Sequence, residues 1–384
     1  MQFLLSSGEA SGDTYGAQLV VALRQLSPQA QFFGMGGEKM HAAGCELLVH
    51  AKEVAVVGLV EVVKHLPDIR KKFRLLVNEA ARRRPDAAVL IDFPDFNLRL
   101  ARELHGMGIP VFYFVSPQIW AWRTGRVQQI RKYVRKMIVI FPFEQEFYRR
   151  HGVDVTYVGH PLAYAAQQQR ASEPETSRQD FAAQNALRVD RQWIALLPGS
   201  RRKEVQLNLP EMLAAARALH QEGAGYDFVL PVASTLDKNW VRQQLSSAEV
   251  EIHLTDDARA TLRHSRAAIV ASGTATVEAA LADTPFVVIY RLAPLTWLLG
   301  RRLVNLDTFA MPNLVAGRRI VAELIQRDFT AANVVRELEA IIPEGAAREQ
   351  MLANLAEVRE KLLAGDHLEA PAARAAREIL NLLA

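Results

Sequence analysis

One cysteine, Cys45, stands in 384 residues. A lone thiol allows no disulfide within the chain and no cysteine-based zinc site, and such usage fits a reducing compartment. Long apolar runs are missing too: nowhere do about 18 apolar residues follow one another, the length a spanning helix needs. The stretch 54–73, VAVVGLVEVVKHLPDIRKKF, comes nearest, and Glu61, Lys64 and Pro67 cut it. The first residues, MQFLLSSGEASGD, carry neither the charged segment nor the cleavage site of a secretory leader, so the expected location is the cytoplasm. The P-loop pattern GxxxxGK(S/T) and the DxD pair are absent. No internal repeat or low-complexity tract interrupts the chain.

What is present is ordinary globular material. Half of the residues are hydrophobic and 23% are charged, which argues against disorder. The length exceeds one ordinary core and predicts two domains. The net charge of +4 is unevenly spread. Residues 1–164 hold 21 Lys and Arg against 15 Asp and Glu, whereas the remainder holds 25 against 27. A basic first half calls for an anionic partner: a phosphate, an acidic lipid or a nucleic acid.

Short apolar runs alternate with helical periodicity. QFLLSS (2–7), AAVLID (87–92), PVFYFVS (110–116), KMIVIFPF (136–143) and VTYVG (155–159) read as buried parallel strands, with amphipathic stretches such as 14–26 and 97–106 between them. After a polar segment the pattern restarts with WIALLPGS (193–200), DFVLPVA (227–233), EIHLTD (251–256), AAIVAS (267–272) and PFVVIYR (285–291). The prediction is an α/β chain of two Rossmann-like, doubly wound domains facing a central cleft at the carboxyl ends of both sets of strands. The expected bounds are 1–165 for the first domain, 166–190 for a connector, 191–340 for the second domain and 341–384 for a helical tail.

Four strand-end loops carry candidate chemistry. SSGEASGD (6–13) leaves a strand and opens a helix. Gly8 and Gly12 permit close approach of a ligand, and Ser11 or Asp13 suits a helix cap, though a plain tight turn would ask for the same residues. LLPGSRRKEV (196–205) runs from a strand through a turn into cations. Gly199 and Ser200 offer backbone N–H groups and Arg201 a planar fork, which together suit phosphate; a solvated basic turn is the bland alternative. In ASGTATVEAAL (271–281), the small residues Ser272, Gly273, Thr274 and Thr276 open a helix whose N-terminus favours an anion. Glu278, a turn further on, suits a ribose hydroxyl or a capping box, and the box leaves the run of small side chains unexplained. IDFPDFN (91–97) places Asp92 at a strand tip and Asp95 before a helix. Asp95 fits a helix cap, which leaves Asp92 as the candidate general base.

SPQIWAWRTGR adds Trp120 and Trp122, and six basic residues with no acidic one lie from 123 to 136. Aromatics beside cations suit RNA, a phosphorylated sugar or a membrane interface. His160, in GHP, reads as a structural turn residue.

In this order and spacing, SGEASGD, FYFVSPQIWAWR, GHP, LLPGSR, ASGTATVE and MPNLVAGRRIVAELIQ resemble the lipid-A-disaccharide synthase family, over residues 3–330. The resemblance implies the GT-B fold and an inverting glycosyltransferase of lipid A biosynthesis. Its donor would be UDP-2,3-diacylglucosamine and its acceptor 2,3-diacylglucosamine 1-phosphate (lipid X). The products would be UDP and a β(1→6)-linked disaccharide 1-phosphate. By the same resemblance the second half holds UDP. Arg201 matches the phosphate arginine, Glu278 the glutamate of SGTATxE and Asn313 the asparagine of PNL, while Glu323 and Gln326 fall in the last motif. Asp92 matches the aspartate that would deprotonate the acceptor 6-hydroxyl, and Glu9 and Ser11 lie in the SGEASGD loop. Met311 departs from the smaller or aliphatic residue expected before Pro312. No metal or cofactor is expected; arginine and helix N-termini would meet the charge on the leaving group.

Acylated substrates give the stretch 54–73 a use. Val62, Leu66, Ile69 and Phe73 step along one helical face beside Val63, and Pro67 is expected to divide the stretch into two short helices. Eight basic and two acidic residues from 64 to 84 favour an anionic leaflet. The expectation is a peripheral protein on the inner face of the cytoplasmic membrane, with Val62, Val63, Leu66 and Ile69 dipping into it. Nucleic acid is not an expected partner, and a homodimer is left open. Two rivals within GT-B are a UDP-N-acetylglucosamine 2-epimerase, which needs no exposed apolar surface, and the peptidoglycan N-acetylglucosaminyltransferase, whose glycine-rich signatures differ. A basic RNA-binding protein would leave residues 199–201 and 272–278 unexplained.

Overall fold

Strands that are apolar on both sides must lie between two layers, and the chain builds two such sheets. The computed structural model describes residues 1–54, 59–122, 124–172, 176–221, 223, 225–246, 248–292, 308–363 and 369–384. Packing divides them into one unit of Met1–Tyr164 with Leu362–Ala384 and another of Ala165–Lys361. The segment 341–384 is therefore shared between the units rather than standing as one tail.

In the first unit β1 (Gln2–Ser7), β2 (Gln31–Gly36), β3 (Glu46–His50), β4 (Ala87–Ile91), β5 (Val111–Phe114), β6 (Lys136–Val139) and β7 (Val155–Tyr157) pair in parallel. Their order is β3-β2-β1-β4-β5-β6-β7. Alternation along the strands feeds two cores. Leu4, Leu90 and Tyr113 enter one, whereas Phe3, Leu5, Val89 and Phe112 enter the other. The last helix, Pro371–Leu383, closes the second core with Ala372, Ala375, Ala376 and Ile379.

The second unit repeats the design with β8 (Gln192–Leu197), β9 (Tyr226–Pro231), β10 (Ile252–Thr255), β11 (Ala267–Ala271), β12 (Phe286–Tyr290) and β13 (Glu323–Ile325). All are parallel, in the order β10-β9-β8-β11-β12-β13. The helix Arg178–Gln184 docks here through Phe181, and the Arg178 guanidinium lies 3.7 Å from the Trp193 ring centre. In each sheet the strand order reverses beside the first strand, between β1 and β4 and between β8 and β11, and ligands bind such sheets at that reversal.

Three strands were not foreseen. β2, QFFGMG, contains two glycines that read as a break. At Gly34 (φ 147°) a Cβ would fall 1.9 Å from the Leu5 carbonyl oxygen, so the glycine permits close strand approach. β3 and β13 are five and three residues long and carry little pattern.

The helix Leu59–Arg83 corrects two expectations. It is continuous through Pro67 rather than divided there. Proline removes one helical hydrogen bond, but Leu76 and Ala80 are buried in the core and hold the helix in place. Ile69 and Phe73 also pack against that core, and Phe73 meets Phe96 edge-on at 5.3 Å, so these two serve the core rather than an exposed apolar face. Leu66 is half-buried, and the side chains of Val62 and Val63 lie outside the described residues. Lys72 pairs with Glu53, and Arg83 with Glu46 and Glu79, while Arg70, Lys71 and Arg74 are exposed. Among the described residues no helix is long and apolar enough to cross a membrane.

Candidate active site

Ser7 lies opposite Ile91, so the loops that follow β1 and β4 emerge side by side. The second loop turns through two consecutive left-handed residues, Asp92 (φ 46°) and Phe93 (φ 50°). Such a conformation costs about 1–2 kcal/mol per residue. Asn97, fully buried, compensates. Its Nδ2 donates to the carbonyls of Asp92 (2.8 Å), Ser6 (3.1 Å) and Ile91 (3.2 Å), and its Oδ1 accepts from Ser6 Oγ (2.6 Å). The Tyr113 hydroxyl donates to the Asp92 carbonyl at 2.5 Å. Phe93 folds back over Gly8, where a Cβ would meet the ring at 2.4 Å. The two loops are thereby locked together.

The two aspartates receive different surroundings. Burial and the neighbouring Glu9 carboxylate push the Asp92 carboxyl up to about 7, against a hydrogen bond from the Phe93 backbone that lowers it. Asp95 is exposed in the first turn of the helix Pro94–Gly106 and pairs with Arg126. It does not cap that helix; Phe93 occupies the cap position without a side-chain bond. Glu9 takes the cap position of the helix Ala10–Leu26, where its side chain does not cap the helix, and Ser11 is exposed. Asp13 caps a different helix from the one expected. It accepts from the backbone N–H groups of Gly37 (2.7 Å), Lys39 and Met40 (both 3.1 Å), at the start of Glu38–Ala42.

Glu144 escaped the sequence reading. It is buried, accepts from Phe141 N and from Trp120 Nε1 (both 3.2 Å), and burial pushes its carboxyl up to about 8. The bond assigns Trp120 to structure rather than to a ligand, and its ring stacks edge-on against Phe143 at 4.9 Å. The side chain of Trp122 lies outside the described residues. His160 is buried and held neutral, its pKa pushed down to about 3, and Nδ1 accepts from Leu162 N at 3.2 Å. The sequence offers little signal for Glu144: a glutamate just after an apolar strand is an ordinary helix-start residue.

In the second unit β8 and β11 are neighbours, which brings together the turns 198–201 and 272–274. Ser200 N and Arg201 N both donate to Glu204 Oε2, at 3.0 and 3.2 Å. Gly199 (φ 124°) makes room for that glutamate: a Cβ there would lie 2.6 Å from Glu204 Oε2. Arg201 is exposed. The helix Thr274–Leu281 starts from Gly273 (φ 139°) with no side-chain cap, so the capping box is not formed. Thr276 is buried and its hydroxyl donates to the Gly273 carbonyl at 2.7 Å, whereas Thr274 is exposed and Ser272 partly so. Burial raises the Glu278 carboxyl above the usual range.

Asn313 and Glu323 are used by the protein itself. Asn313 is fully buried: Oδ1 accepts from Ile320 N (2.7 Å) and Val321 N (2.9 Å), and Nδ2 donates to Glu323 Oε1 (2.6 Å) and the Val321 carbonyl (3.0 Å). Glu323 also accepts from Phe309 N (2.9 Å) and Ala310 N (3.2 Å). As arranged here both position the helix Met311–Ala316 instead of presenting a free side chain, and Met311 is itself buried. Gln326 (φ 53°) follows β13 beside Tyr290, and its Nε2 is buried with no partner among the described residues.

The Asp92 environment predicts a pH effect on stability. Its carboxyl is raised from 3.8 to about 7 in the folded protein, so between these values the folded state holds the proton more tightly than the unfolded chain. Stability therefore falls as pH rises through that window. Asp92→Asn, neutral at every pH, is expected to raise the unfolding temperature at pH 8 and to leave it nearly unchanged at pH 3.5, as thermal melts at both pH values would show.

Comparison with known proteins gives the fold and the family. The family model for lipid-A-disaccharide synthetase matches residues 3–374. A lipid-A-disaccharide synthase of Koribacter versatilis is 54% identical, over 100% of this chain and 98% of its own length. One from Myxococcus xanthus is 43% identical, over 100% and 97%. Among solved structures, UDP-GlcNAc 2-epimerase from Neisseria meningitidis bound to UDP-GlcNAc superposes with a TM-score of 0.65 at 12% identity, covering 100% of this chain and 99% of that one. The calicheamicin glycosyltransferase CalG4 gives 0.60 at 16%, covering 100% and 98%. At such identities the superpositions establish the fold, GT-B. The sequence matches go further, since they run through both sheets and every strand-end turn described above: the chain belongs to the lipid-A-disaccharide synthase family.

Proposed function

We propose that the protein transfers a diacylglucosaminyl group from UDP-2,3-diacylglucosamine to the 6-hydroxyl of 2,3-diacylglucosamine 1-phosphate, releasing UDP. Membership of the family over nearly the whole chain is the observation that carries this reading. Asp92 takes the proton of the 6-hydroxyl; a carboxyl poised near pH 7 both accepts a proton and gives it up at working pH. The hydroxyl oxygen attacks the donor anomeric carbon as the bond to the diphosphate breaks on the opposite face, which inverts that centre to give a β(1→6) linkage. Arg201, the turn at Gly199 and Ser200, and the helix N-terminus at Ser272–Thr276 meet the charge on departing UDP. Glu278 receives the ribose, and Gln326 offers its unpartnered amide to the nucleotide. Asn313 and Glu323 hold the wall of that site. Glu9 acts through Asp92, by raising its pKa.

The test is turnover in mixed micelles with EDTA present, following UDP and disaccharide mass. Asp92→Asn is expected to lower kcat by about 100-fold or more, and Arg201→Ala to weaken donor use. UDP without disaccharide would point instead to an epimerase-like or hydrolytic relative. A second measurement is the pH profile. Activity needs Asp92 ionised, so kcat/KM should rise with pH through about 7. Glu9→Gln removes the negative neighbour and should move that rise to lower pH; an unmoved profile would detach Glu9 from Asp92.

Acylated substrates place the work at a bilayer surface, on the cytoplasmic side. The stretch up to Leu66, with Arg70, Lys71 and Arg74 following, is the contact we assign to it. Changing Val62, Val63 and Leu66 to Ser should reduce co-sedimentation with anionic vesicles while leaving the fold intact. Ile69→Ser, which opens the core, should lower the unfolding temperature instead. Equal sedimentation of wild type and the triple variant would remove the contact from this stretch.

A further inference from the structure

We propose that Glu204 is a resident anion of the nucleotide site, holding the phosphate-binding donors while the site is empty and giving way when a diphosphate enters. The inference rests on the donor-site reading above. Ser200 N and Arg201 N converge on a single oxygen, Glu204 Oε2, at 3.0 and 3.2 Å, and Arg201 Nη1 lies 3.6 Å from Oε1. Two backbone amides and a guanidinium around one pair of oxygens are the surroundings a phosphate seeks. The carboxylate therefore stands where the charge of a ligand would stand.

The backbone is shaped around this side chain. Gly199 is left-handed, and a Cβ on it would strike Glu204 at both Oε2 (2.6 Å) and Cβ (2.7 Å). The turn has a separate anchor, because Thr235 Oγ1 donates to the Ser200 carbonyl at 2.6 Å, so it does not depend on Glu204 alone for its form. Glu204 itself is partly exposed, 37% of its side chain, and lies at the third position of the helix Arg202–Gln221, from which it can swing toward solvent. Across the sheet from Tyr290 lies Gln326, whose buried Nε2 finds no partner among the described residues. A buried donor without an acceptor is costly, and a ligand rich in acceptors relieves it.

The chemical consequence concerns release. A carboxylate tethered beside the cradle is always at high effective concentration and re-enters as the product departs. It limits how tightly the diphosphate is held and speeds its loss. A glutamate at this position also serves as an ordinary helix cap. The two roles predict opposite signs: loss of a cap loosens the turn and weakens nucleotide binding, whereas loss of a competitor strengthens it.

The experiment is calorimetric titration of the full-length protein with UDP, for wild type, Glu204→Gln, Glu204→Ala and Arg201→Ala, with stopped-flow dissociation of UDP alongside. Glu204→Gln is expected to bind UDP at least threefold more tightly and to release it more slowly, and Arg201→Ala to bind it more weakly. If Glu204→Ala unfolds, the isosteric glutamine carries the test. Wild type that fails to bind UDP would overturn the donor-site reading, and this inference with it. Wild type that binds through Arg201, with unchanged or weaker binding in folded Glu204→Gln, would overturn displacement alone.

Discussion

A single buried amide, that of Asn97, sets the geometry of the first unit's site. Two left-handed residues in succession are unfavourable for side chains as large as aspartate and phenylalanine. They persist because Asn97 and Tyr113 bind the carbonyls that the turn exposes. Without that turn the chain would leave β4 directly into its helix, and Asp92 would point wherever a helical first turn sends it. With it, the carboxyl stays at the strand tip, half-buried beside Glu9. The raised pKa follows from that placement.

The two units use one topology for opposite electrostatic ends. At the reversal of the first sheet Asp92 and Glu9 stand together, and the Glu9 carboxylate adds to the burial that disfavours ionisation of Asp92. That suits proton removal. At the reversal of the second, donors gather: two backbone amides, Arg201 and an uncapped helix start. That suits a departing diphosphate. A doubly wound sheet supplies only the exposed strand ends and the crevice; a few side chains in the first turn decide the sign of the field.

Much of this was legible in the chain. Strands such as AAVLI and WIALL are apolar on both faces, which only a covered parallel strand requires, and the four loops after them all proved to lie at the two reversals. The strands that escaped detection are glycine-bearing, as β2 is, or begin and end on polar residues, as β3 (Glu46 to His50) and β13 (Glu323, then Gln326) do, so local pattern is weak and pairing with a neighbour supplies what propensity lacks. Pro67 was misjudged for a related reason. Its local cost is real, but burial of Leu76 and Ala80 along the same helix outweighs one lost hydrogen bond. Asn313 and Glu323 show a different limit: a motif marks that a residue is needed, and cannot say whether it touches the ligand or holds the residue that does.

The sequence by itself determined the α/β class, the two-sheet plan and the family, because these depend on local apolar pattern and on the order of motifs. Tertiary structure alone decided which aspartate is poised near neutrality, that Asp13 caps a neighbouring helix, that Ile69 and Phe73 face the core, and that the backbone amides of Ser200 and Arg201 bind the Glu204 carboxylate. Each of these depends on distance between groups far apart in the chain or on exclusion of water. Coulomb energy and desolvation vary with those quantities and not with residue type.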